Sequence, residues 1–316
     1  MPSTKNDIPT HAQPAPLVVA RTFAAAPALV FQAWSSSEHL RNWFCPATYS
    51  VPEANVDFKV DGVFQVCMRS PQGTDHWTKG KFVEVVPHSR LAIDMHAVDA
   101  RDAILFRAYT VVTFAEQPGG RTRMEVTQHY TPHQPLAAQM IAGAEQGWSQ
   151  TLDRLQQEVL RIKLQAPAAR SVVHASFRIE RTYDASRAQV FKALTDPEAK
   201  AKWFAGGCAL LAREMDVRPG GREHVKGRWE SGIVSTFDAF YYDVVTDERI
   251  VYAYEMHLDE RKISVSLATF ELKQAGAGTC LVLTEQGAFL DGYDDAGARE
   301  QGSGFLLDAL GASLKA

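Results

Sequence analysis

Apolar positions along the chain fall into blocks with two periods, near 3.6 and near 2, which mark helices and strands. Leu17–Phe23 reads as a strand. Pro27 opens a helix carrying Val30, Phe31 and Trp34 at helical spacing, with proline in the first turn where its missing N–H has no partner to lose. A short helix follows over 37–44. Extended segments come next, near 53–60, 62–70, 76–87, 90–98, 103–116 and 121–131, separated by turn residues such as Asp61-Gly62 and Pro118-Gly119-Gly120. A long helix is predicted over 135–163. Its stripe of Leu136, Met140, Ala144, Trp148, Leu152, Leu155, Val159 and Ile162 recurs in steps of three and four.

The whole pattern then repeats. Arg21–Trp34 aligns with Arg181–Leu194, Trp43-Phe44 with Trp203-Phe204, Asp57–Gly62 with Asp216–Gly221, Thr122–Thr127 with Thr279–Thr284, and Glu145–Gly147 with Glu300–Gly302. The displacement drifts only from 160 residues (21 to 181) to 155 (147 to 302). Ordered matches over such a length mean a tandem duplication. In the second copy helices are expected near 186–195 and 197–204, strands near 173–183, 213–218, 222–231, 233–246, 249–258, 262–274 and 279–288, and a final helix over 294–314. The predicted organisation is a disordered, proline-bearing arm over 1–16, a domain over 17–164, an Ala/Pro linker over 165–171 and a second domain over 172–316. Hairpin-linked strands with helices grouped at the ends make each domain α+β. The long helix can bury its stripe only on the inner face of a curved sheet. A curved sheet and a straight helix leave a gap between them, where a small molecule would bind.

Charge and cysteine usage narrow the function classes. A net charge of −4 argues against a nucleic-acid binder. No apolar run reaches membrane-spanning length. Cys45, Cys67, Cys208 and Cys280 form no CxxC pair, which excludes a zinc ribbon and points to a reduced, cytoplasmic protein. His129 and His133 share a strand face about 13 Å apart, too far to hold one ion. No metal and no cofactor is expected.

Strand alternation orients candidate site residues. In the first copy Thr122, Met124, Val126 and Gln128 share one face, as do Phe64, Val66 and Met68. With Trp77, Met95, Met140 and Trp148 they outline an apolar, methionine-rich cavity, capped by Trp43 and Phe44. In the second copy the matching faces carry Thr279, Leu281, Leu283 and Glu285, and Glu223, Val225 and Gly227 with Trp229 next; Trp203 repeats Trp43. Two inward carboxylates, Glu223 and Glu285, are candidates for ion pairing or for general-base chemistry, because an unpaired buried carboxylate is expensive. Gly147 and Gly302 recur within the last helices, which predicts a close approach there. Ser303 stands where the first copy has Trp148, leaving room for another bulky residue such as Trp229 or Phe289.

The run R-x-[FY]-x-A-x-x-x-V-F-x-A, followed by W-F, D-x-x-x-[DG]-G, a T-x-x-x-x-T strand and a final helix with E-x-G, resembles the activator of heat-shock-protein-90 ATPase homologue-like family. That family belongs to the START-like, helix-grip superfamily. The resemblance covers both copies and implies two tandem helix-grip domains, each a curved antiparallel sheet around a long C-terminal helix. Asp61 departs from the paired glycines of the pattern, which the second copy keeps as Gly220-Gly221. The expected function is binding of a small hydrophobic or amphipathic ligand. Alternatives are a stress-related, co-chaperone-like factor acting on a protein client, and a cyclase- or hydratase-type enzyme.

Overall fold

The computed structural model describes residues 15–167, 170–204 and 207–315. Most of the expected arm and the middle of the expected linker lie outside the described residues. The chain divides between Ile162 and Lys163 into two compact units, domains 1 and 2.

Domain 1 begins with β1 (Leu17–Phe23) and two short helices, α1 (Pro27–Gln32) and α2 (Ser37–Trp43). Strands β2 (Ser50–Val56), β3 (Val63–Arg69), β4 (Asp75–Val86), β5 (Arg90–Val98), β6 (Ile104–Gln117) and β7 (Arg121–Pro132) follow, then α3 (Leu136–Ala142) and α4 (Ala144–Gln165). The sheet order is β1-β7-β6-β5-β4-β3-β2. β1 and β2 lie at opposite edges, so α1 and α2 carry the chain across. A bulge in β4 between Phe82 and Glu84 adds local twist and bends the sheet. Trp148, Leu152, Leu155, Val159 and Ile162 of α4 join Phe64, Met124 and Val126 in one core.

Domain 2 repeats this order with β8 (Val172–Tyr183), α5 (Arg187–Thr195), α6 (Pro197–Phe204), β9 (Ala209–Met215), β10 (Arg222–Arg228), β11 (Val234–Val245), β12 (Arg249–Leu258), β13 (Arg261–Ala275), β14 (Gly278–Leu290) and α7 (Ala296–Ser313). Its sheet runs β8-β14-β13-β12-β11-β10-β9, and a bulge between Tyr241 and Asp243 matches the one in β4.

The repeated residues turn out to be scaffold. Thr122 Oγ1 donates to the Ala25 carbonyl at 2.7 Å, and Thr279 does the same to Ala185 at 2.7 Å. Arg21 pairs with Asp153 in α4, as Arg181 does with Asp308 in α7. Trp43 and Trp203 each donate their indole N–H across to the preceding helix segment, at Ala33 and Ala193, at 2.9 Å. Both are buried clasps, so the expected ligand-binding role for Trp43 and Trp203 gives way to a structural one. Gly62 and Gly221 are sterically required: a Cβ there would lie 1.9 and 2.1 Å from the carbonyl oxygens of Asp57 and Asp216. The preceding position needs only a positive φ, 62° at Asp61 and 80° at Gly220, which aspartate tolerates. That explains why one copy departs from the paired glycines without changing fold.

Some boundaries differ from the expectation. β2 and β9 start earlier than the segments predicted at 53–60 and 213–218 and stop at Val56 and Met215, because Asp57–Gly62 and Asp216–Gly221 form tight turns. The predicted single helix over 135–163 is interrupted at Gly143, which caps α3. Gly302 has nothing within 4 Å of a would-be Cβ, and Gly147 meets only Pro46 at 3.8 Å. The predicted close approach to these glycines is therefore absent.

Candidate functional site: an open cavity and its plugged copy

In domain 1 the sheet and the α3–α4 segment leave a cavity of about 440 Å³, with mainly apolar walls. Of the candidates, Met68, Met95, Gln128, Met140 and Trp148 line it. Phe44, Tyr49, Phe106 and Tyr130 line it as well. Trp148 stacks on Trp34 with ring centroids 6.5 Å apart and meets Phe44 edge-on at 5.9 Å, so packed aromatic rings form the wall on the helix side. Phe64 and Met124 are fully buried behind the wall. Trp77 is a correction. It sits opposite Cys67 in the β3–β4 register, on the outer face, with Lys79 Nζ 5.4 Å from its ring. The inward residues of that strand are His76 and Thr78, which line the cavity.

One polar corner interrupts the apolar wall. Gln128 Oε1 accepts from Trp148 Nε1 at 2.6 Å and from the Tyr130 hydroxyl at 2.5 Å, while its Nε2 donates to Thr110 Oγ1 at 2.7 Å. Burial pushes the Tyr130 phenol well above its ordinary pKa, so it remains a donor. The carbonyl of Gln128 is thus saturated. What remains for a guest is the second Nε2 hydrogen and the Tyr130 oxygen lone pairs.

The corresponding positions of domain 2 carry different chemistry. By the repeat alignment Met95, Phe106, Gln128, Ala144 and Trp148 become Tyr254, Ser264, Glu285, Arg299 and Ser303. The Arg299 side chain fills the place. It donates to the Tyr254 hydroxyl at 2.7 Å and to Ser264 Oγ at 2.8 Å, pairs with Asp294, and lies 3.5 Å from Glu285 Oε1. Its guanidinium packs over the rings of Tyr254 and Phe289. Tyr254 in turn donates to Glu285 at 2.6 Å. The space left by Ser303 is therefore taken by Arg299 with Phe289. Trp229 is elsewhere, in the turn after β10 where its backbone pairs with Ile233.

A second exchange lies deeper. Leu40, Phe64 and Phe82, all buried in domain 1, become Lys200, Glu223 and Tyr241. Lys200 Nζ and the Tyr241 hydroxyl both donate to Glu223 Oε2, at 2.6 and 2.5 Å. Glu223 Oε1 has no partner among the described residues. Burial lowers the Lys200 pKa while the Glu223 charge opposes it; burial and the same charge push Tyr241 up. The two inward glutamates thus belong to separate hydrogen-bond networks, one tied to α6 and one to α7.

A curved antiparallel sheet gripping a C-terminal helix, with a cavity between them, defines the START-like helix-grip class. The profile of the family described as activator of Hsp90 ATPase homolog 1-like protein matches residues 24–159 and again 184–315. The chain belongs to that family, as two tandem copies. Among solved structures it is similar to a protein from Rhizobium leguminosarum, at 46% identity over 46% of this chain and 97% of that one, with a TM-score of 0.44. A protein from Rhizobium loti matches at 42% identity over 45% of this chain and 99% of that one, with a TM-score of 0.43. No curated protein matches the chain. No helix among the described residues is long and apolar enough to cross a membrane.

Proposed function

We propose that domain 1 binds a small, mainly apolar molecule with one polar group, and that domain 2 keeps the fold without this site. The observation that carries the reading is the contrast between copies: a roughly 440 Å³ apolar cavity in one, and Arg299 with its carboxylate partners at the same positions in the other. A volume of this size suits a drug-sized ligand. Burial of the guest's apolar surface supplies affinity at about 25 cal/mol per Å². The Gln128–Tyr130 corner orients its polar end. Scattered cysteines support a reducing, cytoplasmic setting. General-base catalysis by Glu223 or Glu285 has less support, since each already faces a cation.

The test is calorimetric titration of the full chain with a neutral medium-chain alcohol and with the matching alkylammonium. Saturable binding that prefers the alcohol is expected. Trp148→Ala should weaken it, and Ala144→Arg, which copies domain 2, should abolish it. No saturable heat with either probe sinks the reading and turns attention to a protein client docking on the exterior.

A further inference from the structure

The geometry points to a divalent-cation site on the outer face of the second sheet, made by Asp238, Glu255 and His257 and braced by His224. It lies on the opposite side of the sheet from the Glu223 and Glu285 networks and is independent of the ligand proposal. Asp238 of β11 stands directly opposite Glu255 of β12, and His257 is two residues further along the same face. One ligand atom from each of the three lies within 4.8 Å of the other two. In a tetrahedral site with bonds of about 2.0–2.2 Å, neighbouring ligand atoms are roughly 3.3–3.6 Å apart, so small side-chain rotations close the set around an ion.

Two further observations favour a cation. Like charges directly opposite across a strand pair repel, and an ion between them turns that repulsion into attraction. The β12–β13 register slips between Met256 and His257 just as the β5–β6 register slips between Ala97 and Val98, so the site sits on a bend that both copies share. His224 Nδ1 lies 2.6 Å from Asp238 Oδ1, the bracing bond that metal-binding carboxylates commonly receive from an outer shell. Lys262, paired with Glu255, is the charge an incoming ion must displace. The three ligands are half-buried, so solvent can deliver and fill the remaining coordination positions.

The donor set decides the ion. Two carboxylate oxygens and one imidazole nitrogen suit Zn²⁺, Co²⁺ or Ni²⁺, whereas Ca²⁺ and Mg²⁺ want oxygen throughout. Domain 1 has Lys79, His96, Val98 and Gln65 at the matching positions and cannot form the site. His129 and His133, expected to share a strand face, do not share an element, since β7 ends at Pro132. Asp238, Glu255 and His257 come from neighbouring strands, a juxtaposition that only register reveals.

The full chain is titrated with Co²⁺ and, separately, with Zn²⁺ against a chromophoric chelator. One saturable equivalent is expected, with cobalt d–d absorption and no thiolate-to-cobalt charge-transfer band. Asp238→Asn and His257→Gln should each remove that equivalent, and His224→Gln should weaken it about 10–100-fold. Circular dichroism of the metal-free variants confirms that each is folded. Absence of saturable binding, a thiolate band, or unchanged binding in both Asp238→Asn and His257→Gln overturns the site.

Discussion

Lys200 is the residue on which domain 2 most depends electrostatically. Its ammonium is the partner of a carboxylate that is 2% exposed. Replacing it by leucine takes the ion-pair partner from Glu223 and leaves the Tyr241 hydroxyl as donor, which costs about 3–5 kcal/mol. The triple variant Lys200→Leu, Glu223→Phe and Tyr241→Phe copies domain 1. It should be neutral or more stable than wild type by about 1–4 kcal/mol, as buried ion pairs often are when exchanged for packed apolar groups. Urea unfolding of both variants separates the two cases; a stable single variant refutes the argument. In domain 1, Glu158 is the analogous buried charge, tying α4 to α2. It faces His39 Nδ1 at 2.6 Å and takes both prongs of Arg161 at 2.8 and 2.9 Å. Burial raises its pKa, but these hydrogen bonds outweigh burial and hold it below the ordinary glutamate value. The folded state therefore binds the proton less tightly than the unfolded state. The resulting stability is fully present above about pH 4.3 and is lost as pH falls through the folded pKa. Glu158→Gln should lower neutral-pH stability by about 1.5–3 kcal/mol and flatten the acid limb of the stability curve.

At the level of elements, the last helix differs most between copies. α7 holds Gly302 with open space around its would-be Cβ. Gly302→Ala should therefore stabilise domain 2 by about 0.5–1 kcal/mol, measured as a rise in its unfolding midpoint. A loss instead of a gain would reveal a neighbour the structure does not show. Strand faces were legible because period-two alternation reports them directly: Gln128 and Glu285 both lie buried on the face it assigned. Tyr130 and Phe106 were missed, although continuing the same alternation to the ends of β7 and β6 would have found them. Trp77 was misread because its apolarity was weighted over its register in β4. Arg299 was missed because attention went to what replaces Trp148, one turn further on, while the informative exchange was Ala144 to arginine. Lys200 at the place of Leu40 gave the same kind of signal. Glu223 and Glu285 falling into separate networks was not legible, since it depends on which helix supplies each cation.

For the whole molecule, the consequence is unequal response to a ligand. A guest at about 100 times its dissociation constant should stabilise domain 1 by about 2.7 kcal/mol and leave domain 2 unchanged. Hydrogen exchange, read separately over peptides from 17–162 and 172–315, distinguishes this from a shared site, which would protect both. The buried exchange of Leu40, Phe64 and Phe82 for Lys200, Glu223 and Tyr241 also bears on how the two halves of the gene can evolve. A crossover that takes the short helix from one copy and the third strand from the other places lysine beside phenylalanine, or glutamate beside leucine, in a dry interior. Either hybrid carries an unpaired buried charge and the several-kcal/mol penalty that goes with it. Between residues 200 and 241 the two cores are therefore not interchangeable piece by piece, because each piece of the ion pair needs the others.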